Sequence, residues 1–227
     1  MYHRKQDKMK NLLIVPTRSR PHKVKEFYDS FIEHTGNTTQ LCFAIDNDDE
    51  SMINHNFDDY ENVIWEINPR LRISGTLNLV ANKYINDYDY VSFMGDDHRI
   101  RTTDWDLELT SDPIKYLVAY GNDLLQGQHL PTSVLMDSNI IKNIGYMCPP
   151  HLKHLYIDNF WKVLGQRLGT LKYYSEVIIE HMHYSINKSE SDDLYVEVNG
   201  HEIANHDKTA YDYYVHNQLN SDLAKLI

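Results

Sequence analysis

Apolar residues fall along this chain in short unbroken runs separated by stretches of helical period. Residues 11–15, 41–45, 63–67 and 90–93 are runs of the kind that form central parallel strands covered on both faces. After Pro21, a residue tolerated at a helix start, Val24, Phe27, Tyr28, Phe31 and Ile32 share one helical face, and Gly36 ends the predicted helix. Leu77, Val80, Ala81, Tyr84 and Ile85 form a second such face with Ser74 as its predicted cap. This alternation predicts an α/β nucleotide-binding layer, a mainly parallel sheet flanked by helices.

From Arg99 the period is lost, and residues 99–106 read as a loop leading into a more irregular second half. Residues 107–109 and 114–120 are apolar enough to pack, and residues 131–136 predict a strand. Asp137 or Ser138 caps a short helix through Ile140, Ile141 and Ile144 that Gly145 stops. Ile157, Phe160, Trp161, Leu164 and Leu168 mark another helix, and Val177, Ile178 and Ile179 a buried strand. Residues 187–193 are polar enough for a mobile loop, and Asp207 starts a final helix through Tyr211, Tyr214, Val215, Leu219 and Leu223 on the outside of the domain.

Length and charge narrow the classes. The 227 residues suit one domain with a sizeable core. With 33 acidic against 22 basic side chains the net charge is −11, which disfavours a nucleic-acid footprint over the whole surface while permitting a local basic cleft. Cys42 and Cys148 stand far apart, so neither a disulfide framework nor a cysteine zinc site is expected, and the setting is reducing and cytoplasmic. The polar, basic first ten residues do not make a signal peptide, and no run reaches the roughly 18 apolar residues of a membrane span.

The candidate chemistry collects where strands end. The fourth run passes through Gly95 into Asp96, Asp97 and His98, and the late strand finishes at His181 and His183. Two carboxylates with imidazoles suit a divalent cation, manganese ahead of magnesium or zinc. Thr17 and Arg18 follow the first strand, Asp46 the second, and Arg70 with Arg72 the third, where two arginines before a helix can meet phosphate. There is no Gly-x-Gly-x-x-Gly, Walker lysine or Gly-x-Ser-x-Gly, and His201 and His206 are five apart where a zinc-protease helix needs four. Asp158 occupies a helix first turn, where a carboxylate can cap the helix or point into a cleft.

Together, Pro16-Thr17-Arg18, the Gly-Asp-Asp-His, Asp158 and Glu180-His181-Met182-His183 resemble the GT-A-fold glycosyltransferases, and more narrowly compact glycosyltransferase-like proteins of bacteriophage genomes. The resemblance implies one GT-A domain, with residues 11–98 as the nucleotide-sugar half, 99–184 as the acceptor half, and 185–227 as a loop and C-terminal helix. It implies that Asp96 meets the donor ribose and that Asp97, or His98 standing where the family pattern has Asp, is the main metal ligand, with Asp97 favoured. His183, or His181 in its place, completes the metal site. Thr17, Arg18 and Asp46 hold the nucleotide, Arg70 or Arg72 neutralises the diphosphate, and Asp158 is the general base of an inverting transfer. His154, Tyr156, Trp161 and Trp105 form an aromatic wall on the acceptor side. The expected donor is a UDP-sugar, and the expected acceptor is a hydroxylated base in phage DNA, its phosphates contacted by Lys153, Lys162, Arg167 and Lys172, ahead of a glycan. A metal-dependent phosphoester hydrolase and a silent nucleotide- or sugar-binding module are the alternatives.

Overall fold

The first strand shows why the sheet needs two covering layers. In β1 (Asn11–Thr17), Leu12 and Ile14 enter one core while Leu13 and Val15 enter another, all four without solvent exposure. Alternation that is apolar on both sides leaves no face for water. The computed structural model describes residues 9–36, 38–183, 188 and 200–227; of the predicted polar loop at 187–193, only Lys188 is among them.

Pro21 opens α1 (Pro21–His34), which buries Val24, Phe27 and Phe31 and stops just ahead of Gly36. Next come β2 (Thr39–Asp46), the one-turn α2 (Glu50–Ile53), β3 (Val63–Asn68), α3 (Arg72–Tyr84) and β4 (Tyr90–Phe93). The order β3-β2-β1-β4 is parallel throughout, so the carboxyl ends of these four strands meet at one edge. Ser74 does not cap α3. That helix begins at Arg72, and Ser74 lies within it, fully buried, with its hydroxyl donating to the Pro149 carbonyl at 3.1 Å.

The region expected to be a loop forms β5 (His98–Ile100) and α4 (Trp105–Leu109). Then follow β6 (Val118–Asn122), β7 (Val134–Asp137), α5 (Ser138–Ile144), α6 (Ile157–Leu168) and β8 (Leu171–His181). The Asp137 side chain accepts the Asn139 N–H to cap α5, and Gly145, at φ 96°, ends it as the pattern predicts. β7 lies antiparallel to both β4 and β6, β8 parallel to β6, and β5 antiparallel to β8, giving an eight-stranded sheet among the described residues. The β6–β8 register shifts between Gly121 and Asn122, and a Cβ on Gly121 would lie 2.4 Å from the Val177 carbonyl oxygen. Only glycine admits that approach.

α1 and α4 cover one face of the sheet; α3, α5 and α6 cover the other. The last helices are α7 (His201–Asn217) and α8 (Leu219–Ala224). α7 starts at His201, so Asp207 is a buried residue of its second turn and not its cap. α7 lies on the outside of the domain as expected, with Asp207 and Tyr214 as its buried residues. Tyr214 is buried and meets Phe160 of α6 edge to face with ring centroids 5.3 Å apart. No helix among the described residues is long and apolar enough to cross a membrane.

Candidate active site

The four parallel strand ends open into a cleft of about 590 Å³ whose far side is built by the start of α6 and the end of β8. Such crevices beyond the carboxyl ends are where open α/β sheets bind ligands. Every residue expected at the donor, the metal, the base position or the aromatic wall lines it except Trp105, while Lys153, Lys162, Arg167 and Lys172, expected at DNA phosphates, do not. Trp105 is buried in the core beneath α1, its indole N–H donating to the Thr35 hydroxyl at 2.9 Å, so it is no part of an acceptor wall. Trp161 reaches the cleft only as its floor: it is 1% exposed, packs on Phe93 and donates its N–H to the Met147 carbonyl.

Sheet register creates the centre of the site. β5 and β8 pair so that His98 lies directly opposite His181, and directly opposed residues share one sheet face. The two imidazoles stack 4.4 Å apart at 15°. Asp97, in the tight turn that Gly95 begins, places Oδ1 3.4 Å from His98 Nδ1 and Oδ2 3.4 Å from His181 Nε2. A Cβ on Gly95 would sit 2.6 Å from Asp97 Oδ1. Burial pushes the Asp97 carboxyl up, but the two imidazoles outweigh it and hold Asp97 well below the usual carboxylate range. Burial, with His181 beside it, pushes the His98 imidazole down, and the Gly95 N–H approaches its Nδ1 at 3.1 Å.

One ligand atom from each of Asp97, His98 and His181 falls within 4.8 Å of the others. An ionised carboxylate with imidazole nitrogens is a donor set for a borderline divalent cation, and metal ligands must be deprotonated, the state favoured at Asp97 and His98. His181 Nδ1 is moreover buried without a hydrogen-bond partner among the described residues. These residues fit a divalent metal ion. His183 stands outside the trio, edge-on to His181 at 4.9 Å.

Two residues that sequence reasoning passed over hold this centre from behind. Asp123 Oδ1 accepts the N–H groups of Leu125, Gln126 and Gly127 at 3.0, 2.7 and 2.8 Å, and its Oδ2 accepts the Thr132 hydroxyl at 2.7 Å. Thr132 in turn faces His98 Nε2 at 3.5 Å, and the Asp123 carbonyl receives the His181 N–H. In the sequence Asp123 reads only as turn chemistry, because its partners depend on tertiary structure.

On the donor side Asp96 is 4% exposed. Burial, followed by the neighbouring Asp97, raises its carboxyl, against the pull of Arg20 at 3.1 Å and the Thr17 hydroxyl at 2.8 Å. Arg20 is a second omission; its only signal is its place in the loop after β1. Arg18 bridges Asp46 at 2.9 Å and Asp48 at 2.5 Å, and Arg70 Nε lies 3.8 Å from Asp46. Ser19 and Arg72, with φ of 57° and 62°, hold left-handed conformations rare for residues with a Cβ.

Across the cleft Tyr156, at φ 64°, precedes α6 and sets Asp158 in its first turn. Asp158 Oδ1 accepts the Asn159 N–H at 2.8 Å. Burial nevertheless raises its carboxyl, the helix-end amides only partly opposing it. Burial likewise pushes His154 down to about 4, so it is neutral.

No family model matches the sequence, and no curated protein matches it. Solved structures do. S. aureus TarS 1–349 superposes over 93% of this chain and 74% of its own at 15% identity and a TM-score of 0.57; its complex with UDP gives 0.59 at 14% identity, with 92% and 73% covered. The mannosyltransferase PcManGT of Pyrobaculum calidifontis, in complex with GDP-Man and Mn2+, covers 96% of this chain and 72% of its own at 10% identity and a TM-score of 0.58. The chain has the GT-A fold. At these identities the likeness is one of fold, and within the GT-A fold the activity must be argued from the cleft.

Proposed function

We propose that this chain is a glycosyltransferase that moves a sugar from a nucleoside-diphosphate donor to an acceptor hydroxyl, with a divalent cation, manganese before magnesium, on Asp97, His98 and His181. One observation carries the reading: a trio suited to a metal and a carboxyl raised by burial share a single cleft at the strand ends of a GT-A sheet. Bound there, the cation supplies neutralising charge for a departing diphosphate. Arg20, Arg70 and Arg72 line the same cleft and add positive charge of the chain's own.

Asp158 takes the proton from the acceptor hydroxyl, and its raised carboxyl makes it the stronger base. The other lining aspartates are engaged: Asp46 with Arg18, Asp96 with Thr17 and Arg20, Asp97 with the imidazoles. That leaves one carboxylate for proton transfer and none for a covalent intermediate, which supports a single displacement with inversion. UDP and GDP-Man, the ligands of the two neighbours, make UDP-sugars and GDP-mannose the first donors to try. For the acceptor, the charge of −11 favours a glycan over duplex DNA, as does the use of two of the four basic residues expected at phosphates: Lys162 donates to the His129 carbonyl and Arg167 to Asn220.

Calorimetric titration with UDP, GDP and dTDP, each with Mn2+ and again with chelator, tests this. Binding of one nucleotide that vanishes with chelator and in Asp97→Ala is expected. If none of the three binds in a metal-dependent way, the donor site is wrong, and phosphoester hydrolysis with water as the only acceptor replaces it.

A further inference from the structure

Behind the loop that carries His154 and Tyr156 lies a carboxylate with no solvent exposure. Asp207 of α7 accepts four hydrogen bonds: the Lys153 N–H at 3.0 Å and His206 Nδ1 at 2.8 Å on Oδ1, and the N–H groups of His154 and Leu155, both at 2.8 Å, on Oδ2. Three successive amides turned toward one anion form a nest, a concavity suited to an anion. Burial pushes the Asp207 carboxyl up, and these donors outweigh it, holding it below the usual carboxylate range and ionised at neutral pH.

One turn further along α7, Tyr211 stacks on Tyr156 with centroids 5.4 Å apart at 25°, and its hydroxyl donates to the Asn159 carbonyl at 3.4 Å. The segment from 153 to 159 is thus gripped twice by a helix some fifty residues away in sequence. Between the two grips stands Tyr156 at φ 64°, a conformation an isolated tyrosine avoids. Two residues later comes Asp158.

We infer that Asp207 is a positioning residue for the acceptor side: it fixes the backbone at 153–156, so that Tyr156 stays left-handed and Asp158 stays directed into the cleft. Resting on the reading of Asp158 as the base, this adds a residue that touches neither substrate nor metal. Asparagine cannot replace it. One amide oxygen serves at most half of the four donors, and the amide nitrogen would set N–H against N–H.

The test is amide hydrogen exchange, read by mass spectrometry on the full chain, in wild type and Asp207→Asn. Exchange at 153–155 should quicken by about tenfold or more, since buried charge-assisted bonds are lost, while β1 and β4 stay as protected as in wild type. Hydrolysis of UDP-glucose or GDP-mannose with Mn2+, in which water takes the sugar as the nucleoside diphosphate leaves, should fall in kcat with the donor KM within about twofold. Unchanged exchange at 153–155 overturns the inference, and so does faster exchange with kcat intact. Should Asp207→Asn not fold, Tyr211→Ala is the second variant: exchange at 156–159 must rise, and no change there counts against the double grip. Asp158→Asn separates the two readings. If it leaves kcat intact while the exchange result holds, the base assignment fails and the grip stands.

Discussion

The two walls of the cleft are built by different means. The metal wall is a product of strand register: the ends of β1, β2 and β4 meet because they are parallel, and His98 meets His181 because β5 and β8 pair residue against residue. The acceptor wall is a loop in an unfavourable conformation, held by side chains of α7. Each wall has a buried aspartate cradled by three backbone amides behind it, Asp123 on one side and Asp207 on the other. Asp123 supports a geometry the sheet already provides, whereas Asp207, together with Tyr211, supports one that no strand pairing provides. Damage to the metal wall should therefore be local, and damage to the acceptor wall should propagate along the loop.

The largest effect that separates the walls is expected from Asp158→Asn. It should lower transfer by about 10²- to 10⁴-fold while Mn2+-dependent nucleotide binding stays within about twofold of wild type. A comparable loss of nucleotide binding would show that the walls are not independent. Next comes Gly95→Ala, whose new Cβ would press on Asp97 Oδ1. Calorimetry should show Mn2+ affinity down by about 100-fold with thermal stability nearly unchanged.

Thr132→Val cuts the link from Asp123 to His98 and should cost about tenfold in Mn2+ affinity. No change would remove Asp123 and Thr132 from the support of the metal wall. The smallest effects concern pH, where two aspartates of the acceptor wall have opposite signs. Asp207 is held below its unfolded value of about 3.9, so its contribution to stability is complete above that pH and is lost as pH falls through the lower folded value. Asp207→Asn should flatten the decline of Tm as pH falls below about 4. Asp158 is raised, so the fold disfavours its charge at neutral pH, and Asp158→Asn should increase Tm at pH 7 by about 2 °C. A decrease would contradict the burial that raises it.

The same contrast explains what was legible in the sequence. Strand ends can be read locally, because an apolar run that stops at a polar residue announces itself; Thr17, Asp46, Asp96 and Asp97 were visible in this way, and all line the cleft. The helix of Asp158 was equally plain from Phe160, Trp161 and Leu164. β5 was not, since three residues carry no period and its partner strand lies some eighty positions away. Trp105 was placed in the cleft because it stands in a polar context, yet in a strand-helix fold that context also accompanies a helix start, and the indole points inward. Asp207 was read as a helix cap because a polar residue ahead of an apolar period commonly is one. Its partners 153–155 belong to another element, and no local pattern reports them.

The grip of α7 on the acceptor loop bears on how such a protein can change over generations. A wall fixed by its own register can be altered only by replacing the residues that face the ligand, each change putting binding at risk. A wall held from a neighbouring helix has a second set of controls: substitutions near Asp207 and Tyr211 can tilt the loop and, under the proposed function, change the choice of acceptor, while every residue proposed to touch the donor keeps its identity. Lineages sharing this arrangement would diverge first in what receives the sugar and last in what supplies it.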